Sequence, residues 1–520
     1  MTTPSLQRWL ITIAVMSATL MQVLDTTIVN VALPHMQGNL GATPDEITWV
    51  LTSYLVASAI IMPLTGYFTD RFGRKNYLLL CILGFVISSA LCGAAQSMTE
   101  IVLFRLLQGI FGASLVPLSQ AIMTDAFPLE ARGSAMAIWG IGVMVGPVLG
   151  PTLGGYLTEI SNWRWTFYIN LPIGILSLLL AWYVVPDTLK KKRSMNWFAL
   201  LLISVGIAAT QFFLDRGNQD DWLDSLTMRA MLIAAIGGIG GFIYYSLNGH
   251  INSVFDLRVF KDRNFTLACF IMALFGLGLF GTMVILPPLL ESLMGYSVLM
   301  AGLVMAPRGI SGMVSMMVIG KLINRYDPRL LILIGIALSI IGTWAGTYYN
   351  LTINSFWVIW PLILQGLGTG FVFVPISTVA FSTLPYHLRA EAAGIFSLIR
   401  TIGSSIGISL IVTLLTRQTQ TAWNQIGGFI QPYNPYLKSY LETLHLDIHN
   451  PLAIKILANE LFRQAQMVSF IHIFAFITWS FIAILPFIFL LKNPRKQQSQ
   501  EMNSEKFAVV ETRQADAIEL

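Results

Sequence analysis

The sequence predicts an all-α polytopic membrane protein of fourteen transmembrane helices. Three observations predict it: an apolar excess that no soluble domain carries, the length of the apolar runs, and the side on which the cations fall. Of 520 residues, 55% are hydrophobic and 11% charged, whereas soluble domains carry roughly a quarter of their residues as Asp, Glu, Lys or Arg. The runs are about twenty residues long, enough for a helix to cross ~30 Å of hydrocarbon and unlike the ten-residue alternation of a barrel.

Spanning windows fall near 9–33, 47–67, 76–96, 101–122, 134–156, 166–186, 195–213, 229–247, 265–290, 299–320, 330–348, 355–379, 391–414 and 467–491. The windows 195–213 and 229–247 are the least distinct, since helices there could lie in the interface. The N-terminus lacks a cleavable apolar segment and reads as a cytoplasmic lead into span 1. Both ends are then cytoplasmic, and the even-numbered connections are inside.

Those connections hold the cations: Arg71, Arg74 and Lys75; Arg132; Lys190 to Arg193; Arg258, Lys261 and Arg263; Lys321, Arg325 and Arg329; Arg389; and Lys492, Arg495 and Lys496. The opposite connections carry acids such as Glu46, Glu100, Asp220 and Asp224, which is the positive-inside asymmetry. The net charge of +5 therefore reports topology, and no nucleic-acid partner is expected. Cys81, Cys92 and Cys269 lie in apolar runs without metal or disulfide spacing. The connection 417–466 is long and polar, with helical composition over 437–464; it reads either as a surface loop or as an external cap. The tail, 497–520, reads as disordered.

The chain also repeats itself. Gln108, Gly109, Pro128 and Arg132 are echoed 257 residues later by Gln365, Gly366, Pro385 and Arg389, and Gly66 to Arg71 is echoed 254 residues later by Gly320 to Arg325. The domains expected are a six-helix bundle over 1–190, two inserted helices over 191–250, a second six-helix bundle over 251–496 that includes the external 417–466 segment, and the 497–520 tail. Parallel six-helix halves suit alternating access around a midplane site.

Particular segments resemble a known family. Gly66-Tyr67-Phe68-Thr69-Asp70-Arg71-Phe72-Gly73-Arg74-Lys75 is similar to the major facilitator loop between spans 2 and 3. Arg105-Leu106-Leu107-Gln108-Gly109 is similar to its span 4 motif, and Gly142, Gly146-Pro147, Gly150-Pro151 and Gly154-Gly155 to its antiporter motif in span 5. Leu24 to Pro34, Trp163 to Pro172, and Leu214-Asp215-Arg216-Gly217 resemble the fourteen-helix drug:proton antiporters of the EmrB/QacA type. The resemblance implies a major facilitator fold arranged 6+2+6 and proton-driven export of varied hydrophobic or amphipathic compounds, with no cofactor. It further implies a bacterial inner-membrane location, a periplasmic adaptor of the EmrA type and an outer-membrane channel of the TolC type.

Asp25 is the one well-embedded acid in the spans of the two bundles, and an intramembrane carboxylate is paired, neutral or functional. A proton-coupling role suits it, as does permanent hydrogen bonding to a neighbouring helix. Arg105 lies at similar depth and has the planar fork to hold a carboxylate. Gln22, Thr26 and Asn30 form a polar stripe expected to face a central cavity. Met21, Tyr54, Trp139 and Phe373 are candidate cavity walls, because thioether and aromatic surfaces accommodate varied shapes, although 22 Met and 31 Phe must mostly pack helices or meet lipid.

Arg308 and Arg400 are either cavity cations of the second half or fasteners onto backbone carbonyls. Gly66, Asp70, Arg71, Gly73, Arg74, Lys75 and Arg132 are expected to latch helix ends during a conformational cycle, unless their role is purely topological. Gly142, Gly146, Gly150 and Gly154, with Pro147 and Pro151, expose a bare helix face. It is expected to contact the other half, with ordinary packing as the alternative.

An ATP-driven pump is not expected, because no phosphate loop is present, and a soluble enzyme is excluded. The leading expectation is a secondary multidrug antiporter. Its rivals are a narrow exporter of a metabolite, siderophore or lipid-like compound, and a membrane scaffold or receptor that retains the fold.

Overall fold

Polar residues at the ends of the apolar runs set where helices begin. A computed structural model of the protein describes residues 5–128, 131–188, 190, 195–248, 257–323, 325–385, 388–443, 445–446 and 450–492. Ser97, Asn196, Asp262, Ser297, Asp327, Asn354 and Asn450 each accept a main-chain N–H from the first turn of the helix that follows, satisfying donors that hydrocarbon cannot.

The first half contains α1 (Ser5–Leu40), the one-turn α2 (Pro44–Ile47), and α3 (Trp49–Ile61), which bends at Pro63 into α4 (Thr65–Phe72). It continues with α5 (Arg74–Ala94), α6 (Met98–Gly112) and its extension α7 (Leu115–Ala126), α8 (Arg132–Ile160), the short α9 (Trp165–Tyr168) and α10 (Asn170–Val184). The inserted helices α11 (Trp197–Arg216) and α12 (Leu226–Leu247) pack on each other. The second half contains α13 (Arg263–Pro288), α14 (Val298–Leu322), α15 (Pro328–Ala345), α16 (Ser355–Ser382), α17 (Arg389–Gly427), α18 (Pro435–Thr443), α19 (Pro451–Ile482) and α20 (Leu485–Leu490).

Among the described residues, thirteen stretches are long and apolar enough to cross a bilayer, α11 and α12 included. The remaining expected window, 134–156, falls inside the 29-residue α8. Lys191 to Arg193 and the 497–520 tail lie outside the described residues.

The 417–466 segment departs from a loop. Its first part continues α17 to Gly427, its last part opens α19 at Pro451, and α18 lies between. Thr419 Oγ1 donates to Ser469 Oγ at 3.1 Å and Trp423 meets Phe462 edge-on at 6.1 Å, so the two long helices hold each other. A 39-residue α17 is about 58 Å long at 1.5 Å per residue, well beyond ~30 Å of hydrocarbon.

Packing follows the repeat. In the first half, Gly146 of α8 lies against Val23 of α1, where an added Cβ would stand 2.9 Å from the Val23 carbonyl carbon. Gly403 of α17, 257 residues later, lies against Ala273 of α13, with 2.6 Å to its Cα. Gly109 abuts the Tyr54 backbone and Gly366 the Arg308 backbone in the same way. Without a hydrophobic drive between helices in lipid, such close approach supplies the van der Waals contact that holds each half.

The halves touch each other at the end that carries the basic loops, and this contact is also duplicated. Gly66 of α4 abuts Glu391 of α17, while Gly320 of α14 abuts Ser134 and Ala137 of α8; Ser134 Oγ also donates to the Gly320 carbonyl at 2.8 Å. Gly66 and Gly320 are repeat partners, as are Ser134 and Glu391. The seal is therefore one contact made twice about a pseudo-two-fold axis.

Gly403→Leu places a branched side chain against the α13 backbone. It is expected to lower stability by about 1–3 kcal/mol through overpacking, read as a lower midpoint of thermal unfolding in detergent; an unchanged midpoint counts against this packing.

Candidate functional site

An ionised carboxylate in hydrocarbon must find its partners within the protein. Asp25 is fully buried on α1, and three side chains from two other helices converge on it. Arg105 Nη1 of α6 donates to Oδ2 at 2.7 Å, Gln108 Nε2 donates to Oδ1 at 2.9 Å, and Asn170 Nδ2 of α10 donates to Oδ1 at 2.8 Å. Arg105, 1% exposed, also donates from Nε to the Val50 carbonyl at 3.0 Å and from Nη1 to Gln108 Oε1 at 2.7 Å. Its guanidinium lies 4.3 Å from the Tyr54 ring centroid, where the ring face favours a cation. Asn170 Nδ2 donates onward to Ser89 Oγ at 3.0 Å.

The pair expected of Asp25 and Arg105 is thus present, inside the first half. Gln108 and Asn170 belong with it, and neither is among the site residues expected from the sequence. The signal available was an amide at a depth where an apolar side chain is cheaper.

Tyr54 is part of this cluster and not a cavity wall: it is 2% exposed, and its hydroxyl accepts from Gln22 Nε2 at 2.9 Å. Met21 is fully buried, with Sδ beside Gly174 of α10, so it too packs within the first half. Thr26 Oγ1 turns back to the Val23 carbonyl and Asn30 Nδ2 to the Thr26 carbonyl. Along the stripe, Gln22 and Thr26 are half-buried and Asn30 is exposed.

The glycine face of α8 contradicts its expected role. Gly142, Gly146, Gly150 and Gly154 lie against Met16, Val23, Thr27 and Ile28 of α1, in the same half. Thr27 Oγ1 donates to the Gly146 carbonyl at 3.1 Å, a contact that the missing side chains permit. The opposite half is met by a different face of α8, where Gly140 abuts Met316 and Met144 approaches Gly312. The side chains of Pro147 and Pro151 lie outside the described residues.

At the sealed end, the bridging carboxylate is not among the site residues expected from the sequence. Asp125, at the end of α7, pairs with Arg74 of its own half and with Arg389 of the other, the latter at 3.3 Å. Arg132 Nε donates to the Thr124 carbonyl at 3.1 Å, buttressing the same corner. Gly73 turns the chain at φ +82°, and a Cβ there would strike Asp187, so both conformation and space require glycine. Arg71 is exposed, and Lys75 lies 5.9 Å over the Trp182 ring of its own half. Neither has a contact with the other half among the described residues; Asp70 is half-buried on α4.

Trp139 and Phe373, one from each half, stack with centroids 5.6 Å apart. The half-buried Arg400 stands 5.8 Å from the Phe373 ring. Arg308 is 6% exposed; Nη2 donates to the Leu279 carbonyl at 3.1 Å, while Nη1 is buried without a partner.

The inserted α11 touches both halves. Asp215 accepts from Thr52 Oγ1 of α3, Arg216 Nη1 donates to Thr48 Oγ1 at 3.3 Å, and Gln211 Nε2 donates to Ser405 Oγ of α17 at 2.9 Å.

Two duplicated bundles, a charged pair buried in one of them and a seal at one end are a transporter's anatomy. The sequence profile of the Major Facilitator Superfamily matches residues 15–408. The chain belongs to that superfamily.

Among superfamily members, it is 33% identical over 489 residues to the multidrug export protein EmrB of Escherichia coli K12, covering 93% of this chain and 95% of that one. It is 35% identical over 489 residues to the fatty acid resistance protein FarB of Neisseria gonorrhoeae, covering 93% and 96%. The human organic anion transporter MFSD10 shares the fold, with a TM-score of 0.59 at 15% identity over 92% of this chain and all of that one. So does the proton:xylose symporter XylE, with a TM-score of 0.57 at 16% identity over 92% and 95%. The protein is a multi-pass membrane transporter and not an enzyme.

Asp125→Asn removes the charge that Arg74 and Arg389 share. Substitution is expected to speed alkylation of a cysteine placed at Ser134 several-fold, as the seal opens more often; an unchanged rate counts against the latch.

Proposed function

We propose that the protein is a proton-coupled antiporter that exports structurally diverse hydrophobic or amphipathic compounds by alternating access. The observation that carries this is the Asp25 cluster: one carboxylate, fully buried, held by three donors from α6 and α10. Removing one partner of a buried pair is costly, on the order of 3–5 kcal/mol. A proton arriving at Asp25 therefore cancels a charge on which the seating of α1 against α6 and α10 depends. Arg105, released from the carboxylate, keeps the Val50 carbonyl and the Tyr54 ring. That gives the first half two discrete arrangements for the proton to choose between. With the basic-loop end sealed, the state described is the one that opens outward.

The kinship with EmrB supports a broad substrate range. The kinship with FarB favours a second reading, export of a narrower lipid-like class. In either case, purified protein in liposomes is expected to couple substrate movement to proton movement. Asp25→Asn is expected to insert normally yet abolish pH-gradient-driven export; full coupled transport by that variant overturns the role given to Asp25. Flux of several unrelated compounds favours the broad reading, and flux of one class favours the narrow one.

The same reading places the chain in a bacterial inner membrane, working with an EmrA-type periplasmic adaptor and a TolC-type outer-membrane channel. The extensions of α17 and α19, with α18 between them, are the surface offered for docking. Cysteines introduced at exposed Tyr433 and Tyr436 are expected to crosslink to the adaptor from the outside, and labelling only from the inside refutes this placement.

A further inference from the structure

At the corner where α4, α5 and α10 meet, the fold gathers cations from two loops. Gly73 lies against Asp187, and the Arg74 main-chain N–H donates to Thr188 Oγ1 at 3.0 Å, so the stretch that follows α10 is fastened to the start of α5. Arg71 and Lys190 are exposed on either side of this junction, and Lys75 Nζ lies 5.9 Å over the Trp182 ring. None of these three cations has a carboxylate partner among the described residues. The acids beside them are the half-buried Asp70 and Asp187, which accepts the Thr188 N–H at 2.9 Å. Cations outnumber acids here.

The corner stands at the basic-loop end of two spanning stretches, Arg74–Ala94 and Trp165–Val184. Trp182 is 62% exposed and Tyr183 83%, so both rings look out of the bundle, at the depth where an aromatic belt meets lipid headgroups. Lys75 stands on that outward ring, the position of a snorkelling lysine. From there toward the membrane centre, α5 and α10 run side by side with Gly174 against Val86, and Leu83, Ile87, Leu176 and Leu179 are exposed along them. Along one line the surface passes from cationic to aromatic to aliphatic. That is the polarity profile of an anionic phospholipid read from its phosphate to its acyl chain.

We propose that this corner binds the headgroup of an anionic phospholipid from the leaflet on the basic-loop side, its phosphate answered by Arg71, Lys75 and Lys190 and an acyl chain laid along Leu83 and Leu179. A cation beside an anionic leaflet strengthens such binding by about five-fold. The site bears on the seal as well. Arg71 and Lys75 flank Arg74, which pairs with Asp125 where Arg389 of the other half joins it. A lipid that engages both flanks restrains the Gly73 turn and so the placement of Arg74. Bound anionic lipid therefore favours the sealed state. The inference goes beyond the exporter reading and holds whatever the cargo.

The test is native mass spectrometry of the full chain in detergent, titrated with phosphatidylglycerol or with phosphatidylcholine of the same acyl chains. Wild type is expected to bind its first phosphatidylglycerol at least about ten-fold more tightly than its first phosphatidylcholine. Arg71→Gln with Lys75→Gln and Lys190→Gln is expected to erase most of that preference. Lys261→Gln with Lys321→Gln and Arg325→Gln removes the same charge from exposed positions of the second half and is expected to keep it. No wild-type preference, or equal losses in the two triple variants, which mark attraction to net charge only, overturn the proposal. Should the first triple variant fail to insert, Lys75→Gln alone decides: a loss of about five-fold is expected, and an unchanged affinity overturns the site. The effect on the seal is read in nanodiscs, where alkylation of a cysteine placed at Ser134 is expected to be several-fold slower with phosphatidylglycerol than with phosphatidylcholine, and independent of lipid once the three corner cations are replaced. Equal rates in the two lipids overturn the bracing of the latch.

Discussion

The cost of charge in hydrocarbon governs this molecule. Asp25 is tolerable on α1 only because Arg105, Gln108 and Asn170 deliver three donors to it. That requirement fixes α6 and α10 against α1 in register and rotation. The Val50 carbonyl and the Tyr54 ring then complete the shell around Arg105, which brings α3 into the same cluster. One carboxylate thus organises four helices, and the polar network that satisfies it specifies their packing in a medium where apolar contacts alone are permissive.

Duplication explains how the second bundle is packed without a counterpart of the Asp25–Arg105 pair at the positions registered with Asp25 and Tyr54, where Phe275 and Arg308 stand. Close approach at Gly403, Gly407 and Gly366 reproduces the backbone geometry of Gly146, Gly150 and Gly109. The scaffold is therefore set by glycine positions common to both halves, and the charges are free to differ. The same economy operates at the seal, where Gly66 against Glu391 and Gly320 against Ser134 are one contact in two copies. A pseudo-symmetric seal can be released by a rocking motion that relieves both contacts together, as parallel repeats allow.

Much of this was legible in the sequence, and the misses have physical causes. The spans, their repeat and the pairing of Asp25 with Arg105 could be read because apolar length, spacing and lone intramembrane charges are one-dimensional signals. The partners Gln108 and Asn170 were quoted as motif residues without a role, since an amide gives no hint of which helix it faces. The glycine face of α8 was assigned to the wrong neighbour. Four-residue spacing shows that a helix face is bare, but not which of two adjacent helices, α1 or α14, fills it. Met21 on α1 and Tyr54 on α3 failed for a related reason: successive residues of a helix differ by about 100° in direction, so depth along the helix does not reveal whether a side chain meets the interior of its own half. Asp125 was missed because an acid beside a basic loop looks like ordinary surface until Arg389 arrives from the other half. The 417–466 segment left a surface loop and an external cap both open, because its helices are polar. They are held by contacts such as Trp423 with Phe462 and not by an apolar stripe.

The inserted pair of helices is best understood through its two neighbours. The contacts of α11 with α3 and α17, through Asp215 with Thr52 and Gln211 with Ser405, join the two halves away from the seal. The Gln211–Ser405 bond to α17 is a neutral side-chain contact, of the kind worth only about 1 kcal/mol, whereas the α3 side is held more firmly, by Asp215 on Thr52, Arg216 on Thr48 and Phe212 against Trp49. A helix held firmly by one half and weakly by the other can stay with the first while the halves move, exchanging only its contact with α17. That contact adds no barrier comparable to that of the doubly glycine-packed seal. The arrangement places the strong, shape-determined contact at the basic-loop end and the exchangeable one at the opposite end. That asymmetry lets the end away from the seal part first when the halves rock against each other.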